Sequence, residues 1–81
     1  MGEHDKNAQL VLFGGGLRNL RISIGLSQEE LAERAGIDRS YLGGIERGEH
    51  NLALINIIKI AKALNVYPHQ LLEVFANSEG K

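Results

Sequence analysis

The sequence predicts an all-α domain of five helices, and three observations carry that reading. Between Ser27 and Gly48, in SQEELAERAGIDRSYLGGIERG, two short helical patterns meet at a single glycine. On either side of them, apolar residues recur every three or four positions, the period of a helix with one buried face. At 81 residues the chain has room for one core, near the lower size at which a single core sustains itself. The domain is placed at 8–76, with 1–7 and 77–81 as flexible tails.

Leu10, Phe13, Leu17, Leu20 and Ile24 define the first helix, over about 8–24. Gly14, Gly15 and Gly16 interrupt it, each costing about 1 kcal/mol relative to alanine. That cost leaves open a strand over QLVLF followed by a phosphate-binding glycine loop. Neither a complete G-x-G-x-x-G nor a lysine followed by serine or threonine completes such a loop, and no second strand follows. The second helix opens with Ser27 as N-cap and Glu30 three residues on, a reciprocal capping box. Leu31 and Ala35 share its inner face, and Gly36 stands where a chain leaving a helix favours φ > 0. Asp38 caps the third helix, whose inner face carries Leu42 and Ile45. Leu54, Ile57, Ile58, Ala61 and Leu64 restore the helical period in a fourth helix, over about 52–64, with Asn51 as the cap. Pro68 is preorganised for a first helical position, and Leu71, Leu72 and Phe75 form the apolar side of a short fifth helix.

Ala32, four residues before Gly36, is small enough to let the second and third helices cross closely. Leu31, Ala35, Ile37, Leu42 and Ile45 then point into the wedge between them. Arg39, Ser40, Gly43, Gly44 and Arg47 are left on the outer face, which is polar and short-chained. This is a helix-turn-helix layout, in which the second helix of the motif, here the third of the domain, enters the DNA major groove and its first residues reach base edges. Arg39, in the first turn, can form a bidentate hydrogen bond to guanine O6 and N7. Ser40 can bond a base or a phosphate, and Tyr41 offers a ring to thymine methyls and a hydroxyl to phosphate. Arg47 reaches either phosphate or solvent.

From about 13 to 75, through LRNLR, GLSQEELAERAG, DRSYLGGIERG and ALNVYPHQLL, the chain resembles the Cro and phage-repressor family, often called Xre-like. Within that family, DRSYLGGIERG looks most like the small controller proteins of restriction–modification systems. The resemblance implies a phage-repressor-like DNA-binding domain with double-stranded DNA as partner. It maps base reading onto Arg39, Ser40 and Tyr41. Gln28 matches the glutamine that holds a backbone phosphate beside a helix N-terminus. Arg21 and Glu46 match a pair that ties the first helix to the recognition helix. His50 stands in the loop where controller relatives often place an arginine near phosphate. With Asn51 it completes the expected DNA surface. Three departures stand out: the extra glycines at 15 and 16, Leu52-Ala53 in place of Pro-Ser or Pro-Thr, and Gly44 in place of a longer polar reader. A glycine there gives clearance for close approach to the groove.

Composition narrows the alternatives. A net charge of −1 disfavours indiscriminate nucleic-acid binding, which draws on lysine and arginine at phosphates. With no cysteine there is no disulfide framework or thiolate metal site, and His4, His50 and His69 lack metal-ligand spacing. No cofactor is expected. No nucleophile–base or paired-carboxylate arrangement points to an enzyme, and no small-molecule effector is expected. MGEHDKN lacks the features of a secretory signal, and no run nears a membrane span, so a cytoplasmic location is expected. The stretch 52–75 carries more apolar residues than a small helix pair can bury, so Ile55, Ile58, Leu71, Val74 and Phe75 are the expected homodimer interface. A protein-binding helical module, such as a toxin-neutralising antitoxin, is the alternative function.

Overall fold

The computed structural model describes residues 7–78 as six helices: α1 (Ala8–Ile24), α2 (Gln28–Ala35), α3 (Arg39–Glu46), α4 (Leu54–Leu64), α5 (Pro68–Leu71) and α6 (Glu73–Ser78). The expected last helix is therefore two. Leu72 N donates to His69 O and Phe75 N to Leu72 O, at 3.0 and 3.1 Å, and these three-residue steps tighten the chain into a corner. Both expected tail boundaries also move. Asn7 caps α1, its Oδ1 accepting from Gln9 N at 2.8 Å and Leu10 N at 3.2 Å, and α6 runs on to Ser78. The remainder of the expected tails, 1–6 and 79–81, with His4, lies outside the described residues.

The central turn forms as its residue types require. Ser27 Oγ accepts from Glu30 N at 3.0 Å while Glu30 Oε1 accepts from Ser27 N at 2.8 Å, so two otherwise orphaned N–H groups are satisfied reciprocally. Those bonds, the backbone one first, lower the pKa of the Glu30 carboxyl. Gly36 takes φ +71° and ends α2, after which Asp38 Oδ2 accepts from Ser40 N at 3.2 Å and opens α3. At α4 the structure differs from the expected cap: Ala53, not Asn51, is the N-cap and makes no side-chain bond. Leu52 packs half-buried against the core, which holds the chain out of the helix until Leu54.

Leu31, Ala32 and Ala35 of α2, Leu42 and Ile45 of α3, Phe13 and Leu17 of α1, and Ile60, Ala61 and Leu64 of α4 fill the core. Ile37 packs on its edge. Two expected inner positions turn out to be exposed: Ile24 (43 %) and Leu54 (69 %) lie at helix termini. Leu26, just beyond α1, is buried where Ile24 was expected.

Helix α1 runs without interruption through its three glycines, and the contacts there are unequal. A β-carbon on Gly14 would overlap the Ile45 carbonyl oxygen and lie 2.7 Å from that of Glu46. Gly14 is thus the point where α1 meets the backbone of α3. Nothing comparable constrains Gly15, and Gly16 faces Val74 at ordinary van der Waals distance.

Beside that crossing, Arg21 and Glu46 form a buried bidentate pair. Nε donates to Oε2 at 2.7 Å and Nη2 to Oε1 at 3.0 Å, while Nη1 donates to the Leu26 carbonyl at 2.8 Å. The hydrogen bond to Glu46 outweighs burial and raises the guanidinium pKa above its ordinary value. Every buried side-chain polar atom among the described residues has a partner.

Two predictions follow from these bonds. Glu46→Ala should lower the unfolding free energy by about 3–5 kcal/mol, because it leaves a buried guanidinium uncompensated. The double variant Arg21→Met/Glu46→Leu should lose less than Glu46→Ala alone, as read by urea unfolding. For Glu30, a folded pKa below the unfolded one means stability that is present above the ordinary glutamate range and lost as pH falls through the folded pKa. The melting-temperature gap between wild type and Glu30→Gln should therefore be widest near neutral pH and narrow as pH falls below the ordinary glutamate range.

Candidate nucleic-acid interface

One face of α3 is free of the core. Its first turn presents Arg39 and Ser40, both exposed, on a helix whose opposite side is fixed by Leu42 and Ile45. Residues 39, 43 and 47 follow one another down this face, as do 40 and 44. It is therefore a single surface that begins with a guanidinium and a hydroxyl and continues over two glycines.

Those glycines are buried, which corrects the expectation of open clearance. A β-carbon on Gly44 would lie 2.6 Å from His50 Nε2 and 3.4 Å from Glu49 Oε1. One on Gly43 would lie 3.2 Å from Arg47 Nη1 and 3.6 Å from Gln28 Oε1. The physical reason is that an exposed glycine pair leaves a trough, and neighbouring side chains fill it. The lower half of the face is thus surfaced by Arg47, Glu49, His50 and Gln28 rather than by bare backbone.

These side chains are mutually held. Arg47 Nε and Nη2 donate to Glu49 Oε2 and Oε1 at 2.9 and 3.1 Å. That hydrogen bonding, with the attraction of the carboxylate, raises the Arg47 pKa. Gln28 Nε2 donates to Glu46 Oε1 at 2.9 Å, so the residue expected at a phosphate is also fastened to the buried pair beneath. Its amide is thereby fixed beside the N-terminus of α2.

Tyr41 is half-buried, not free to swing. Its ring packs against the core edge and lies 4.9 Å from the His50 ring, centroid to centroid. Its hydroxyl accepts from Asn56 Nδ2 at 3.1 Å. Asn56 did not figure in the sequence reading, although one polar residue inside the apolar run Leu54–Ile58 was a usable signal. Asn51 is exposed and, with Leu52, borders a small apolar cleft between α1 and α6 that Phe13 and Phe75 line.

The expected dimer residues separate into two groups. Ile55 is 58 % exposed and Ile58 half-buried, whereas Leu71 is 5 % exposed and belongs to the chain's own core. Val74 sits against Gly16, and Phe75 packs partly on the core. Exposed apolar side chains remain at Leu54, Ile55, Tyr67 and Leu72, and also at Val11, Ile22 and Ile24 of α1. Among the described residues no helix is long and apolar enough to cross a membrane, and no cluster of three His, Asp or Glu could hold a metal ion.

A family model described as helix-turn-helix matches residues 17–71. The control protein C.BamHI of Bacillus amyloliquefaciens is 47 % identical over 64 residues, covering 78 % of this chain and 79 % of that protein. A hypothetical transcription factor of Neisseria meningitidis is 50 % identical over 56 residues, covering 69 % of this chain but only 53 % of its own length. Among solved structures, the restriction–modification controller protein C.AhdI of Aeromonas hydrophila superposes with a TM-score of 0.79. It is 55 % identical, and the match covers 80 % of this chain and 98 % of that one.

Proposed function

The chain belongs to the helix-turn-helix family, and on that premise we propose that it is a sequence-specific DNA-binding transcription regulator of the controller-protein kind. It acts as a homodimer on a short pseudopalindromic operator. The observation that carries this reading is the exposed first turn of α3, with Arg39 and Ser40 on a helix whose other side is locked into the core. A rigid helix with a guanidinium at its leading end is what bidentate reading of guanine requires. The relatives named as control proteins supply the regulatory context.

Two sets of contacts divide the work. Arg39, with Ser40, reads base edges in the major groove, and Tyr41 stands beside them, its hydroxyl held by Asn56. Gln28, at the N-terminus of α2, holds a phosphate, its amide fixed by Glu46 so that contact costs little ordering. Such contacts set register without carrying sequence. His50 and Asn51 lie at the edge of the same surface. With net charge −1, association depends on these placed groups rather than on a general positive field.

The homodimer rests on the exposed Leu54, Ile55 and Tyr67 and the half-buried Ile58, apolar surface that a two-fold partner would cover. A two-fold axis there sets two copies of α3 about 34 Å apart, one turn of B-DNA. The monomer–dimer equilibrium then makes the protein's own concentration its regulatory input. Co-purification of an unrelated protein on that face, with no dimer, would favour the antitoxin-like alternative.

Arg39→Ala should weaken binding to a duplex selected from a random pool by about 1–3 kcal/mol and relax preference at one base per half-site. Gln28→Ala, checked by thermal melting because it also loosens the Glu46 contact, should weaken selected and random duplexes together with an unchanged consensus. A folded Arg39→Ala protein with wild-type affinity and preference would overturn the assignment of α3. Sedimentation should show a dimer at tens of micromolar and mostly monomer for Ile55→Lys; a wild-type monomer with and without DNA would refute the homodimer.

A further inference from the structure

The reading face of α3 carries an acidic residue that the proposed function leaves unused. Glu49 lies in the loop after α3, yet its carboxylate comes back over the helix: Oε1 would stand 3.4 Å from a β-carbon on Gly44. Both of its oxygens accept from the Arg47 guanidinium, at 2.9 and 3.1 Å. Arg47 in turn lies over Gly43, where the Gln28 amide is its neighbour. The guanidinium is thus beside the position where phosphate is expected, while two of its nitrogens are engaged by a carboxylate of the same chain. Both groups are solvent-exposed, at 59 % and 40 % of their side-chain surface, so the pair can open without breaking the fold.

We propose that Glu49 is a positioning residue for DNA binding that withholds Arg47 from the phosphate backbone, lowering affinity for all duplexes while leaving base reading to Arg39 and Ser40. A phosphate that takes the Nε–Nη2 edge of Arg47 must displace a carboxylate, which then remains on the same surface and repels it. The carboxylate is a competitor built into the site. In a protein whose binding must track its own concentration, such a competitor keeps phosphate attraction alone from holding the chain on random DNA. The inference rests on the DNA-binding reading above.

The test is Glu49→Gln, which keeps the shape and the hydrogen-bonding oxygen but removes the charge. Binding to a random-sequence duplex of about 30 base pairs should tighten about two- to fivefold near 0.1 M salt. The slope of log affinity against log salt should steepen by about 0.9, one added phosphate contact. The consensus selected from a random pool should not change. Glu33→Gln, an equal charge change on the exposed side of α2, should leave the slope alone. Arg47→Gln/Glu49→Gln should return the slope to its wild-type value. Melting curves check that each variant is folded. An unchanged slope in Glu49→Gln, the same steepening in Glu33→Gln, or persistence of the steepening in the double variant would overturn the inference. A changed consensus would also overturn it, showing that Glu49 reads a base. Failure of the wild type to bind any duplex would overturn the DNA-binding reading itself, and this inference with it.

Discussion

The orientation of α3 depends on the buried Arg21–Glu46 pair. Arg21 comes from the last turns of α1 and Glu46 ends α3, while the Leu26 carbonyl and the Gln28 amide join from the segment that opens α2. One bidentate contact therefore fixes three elements against each other. Burying such a pair need not stabilise the fold more than apolar residues would, since desolvation offsets most of the attraction. What it supplies is geometry: a guanidinium fork accepts a carboxylate in few orientations, and α3 cannot rotate about its axis without breaking it. A helix that reads base edges needs that restriction.

The same crossing explains why α1 tolerates a glycine inside a helix. Only a residue without a β-carbon lets the α1 backbone reach the Ile45 and Glu46 carbonyls. The propensity cost at Gly14, about 1 kcal/mol, is offset by the close approach that brings Arg21 within reach of Glu46. The costs at Gly15 and Gly16 have no equivalent contact to offset them. Instead the ends of α1 are well secured, with Asn7 satisfying two N–H groups at one terminus and Gly25 closing the other in the left-handed conformation. Secure ends keep a weak middle helical.

What could be read from the sequence follows the range of the interactions. The Ser27–Glu30 box, the Gly36 turn, the Asp38 cap and Pro68 at the head of α5 are local, each set by residues within three positions, and all were legible. The wedge of Leu31, Ala35, Leu42 and Ile45 followed from periodicity, and the Arg21–Glu46 contact from resemblance. Errors came where a tertiary boundary decides. Periodicity puts Ile24 and Leu54 on inner faces, but it cannot say that these positions lie beyond the packed core. Leu71 looked like surplus apolar surface because nothing in its spacing tells that α5 turns inward. Asn51 had a capping side chain, yet the burial of Leu52 moved the helix start two residues on. At the candidate site, the exposure of Arg39 and Ser40 was legible because a first turn faces outward whatever follows it. The covering of Gly43 and Gly44 was not, because it depends on how a loop folds back.

That covering changes what kind of surface α3 presents. With longer side chains at 43 and 44, the helix would carry its own readers, each fixed by a rotamer on a rigid backbone. With glycines there, the outer face beyond the first turn is borrowed from the loop, through Arg47, Glu49 and His50, and from α2, through Gln28. The helix-borne part, Arg39 and Ser40, is held by the core and can act as a geometric gauge of base edges. The loop-borne part is held by exposed ion pairing and ring contact, interactions weak enough to rearrange against a charged polymer. The proposed division of labour between base reading and backbone holding is therefore also a division between rigid and adjustable structure. Affinity can be altered in the loop while the first turn of α3, proposed to read sequence, stays where Arg21 and Glu46 have set it.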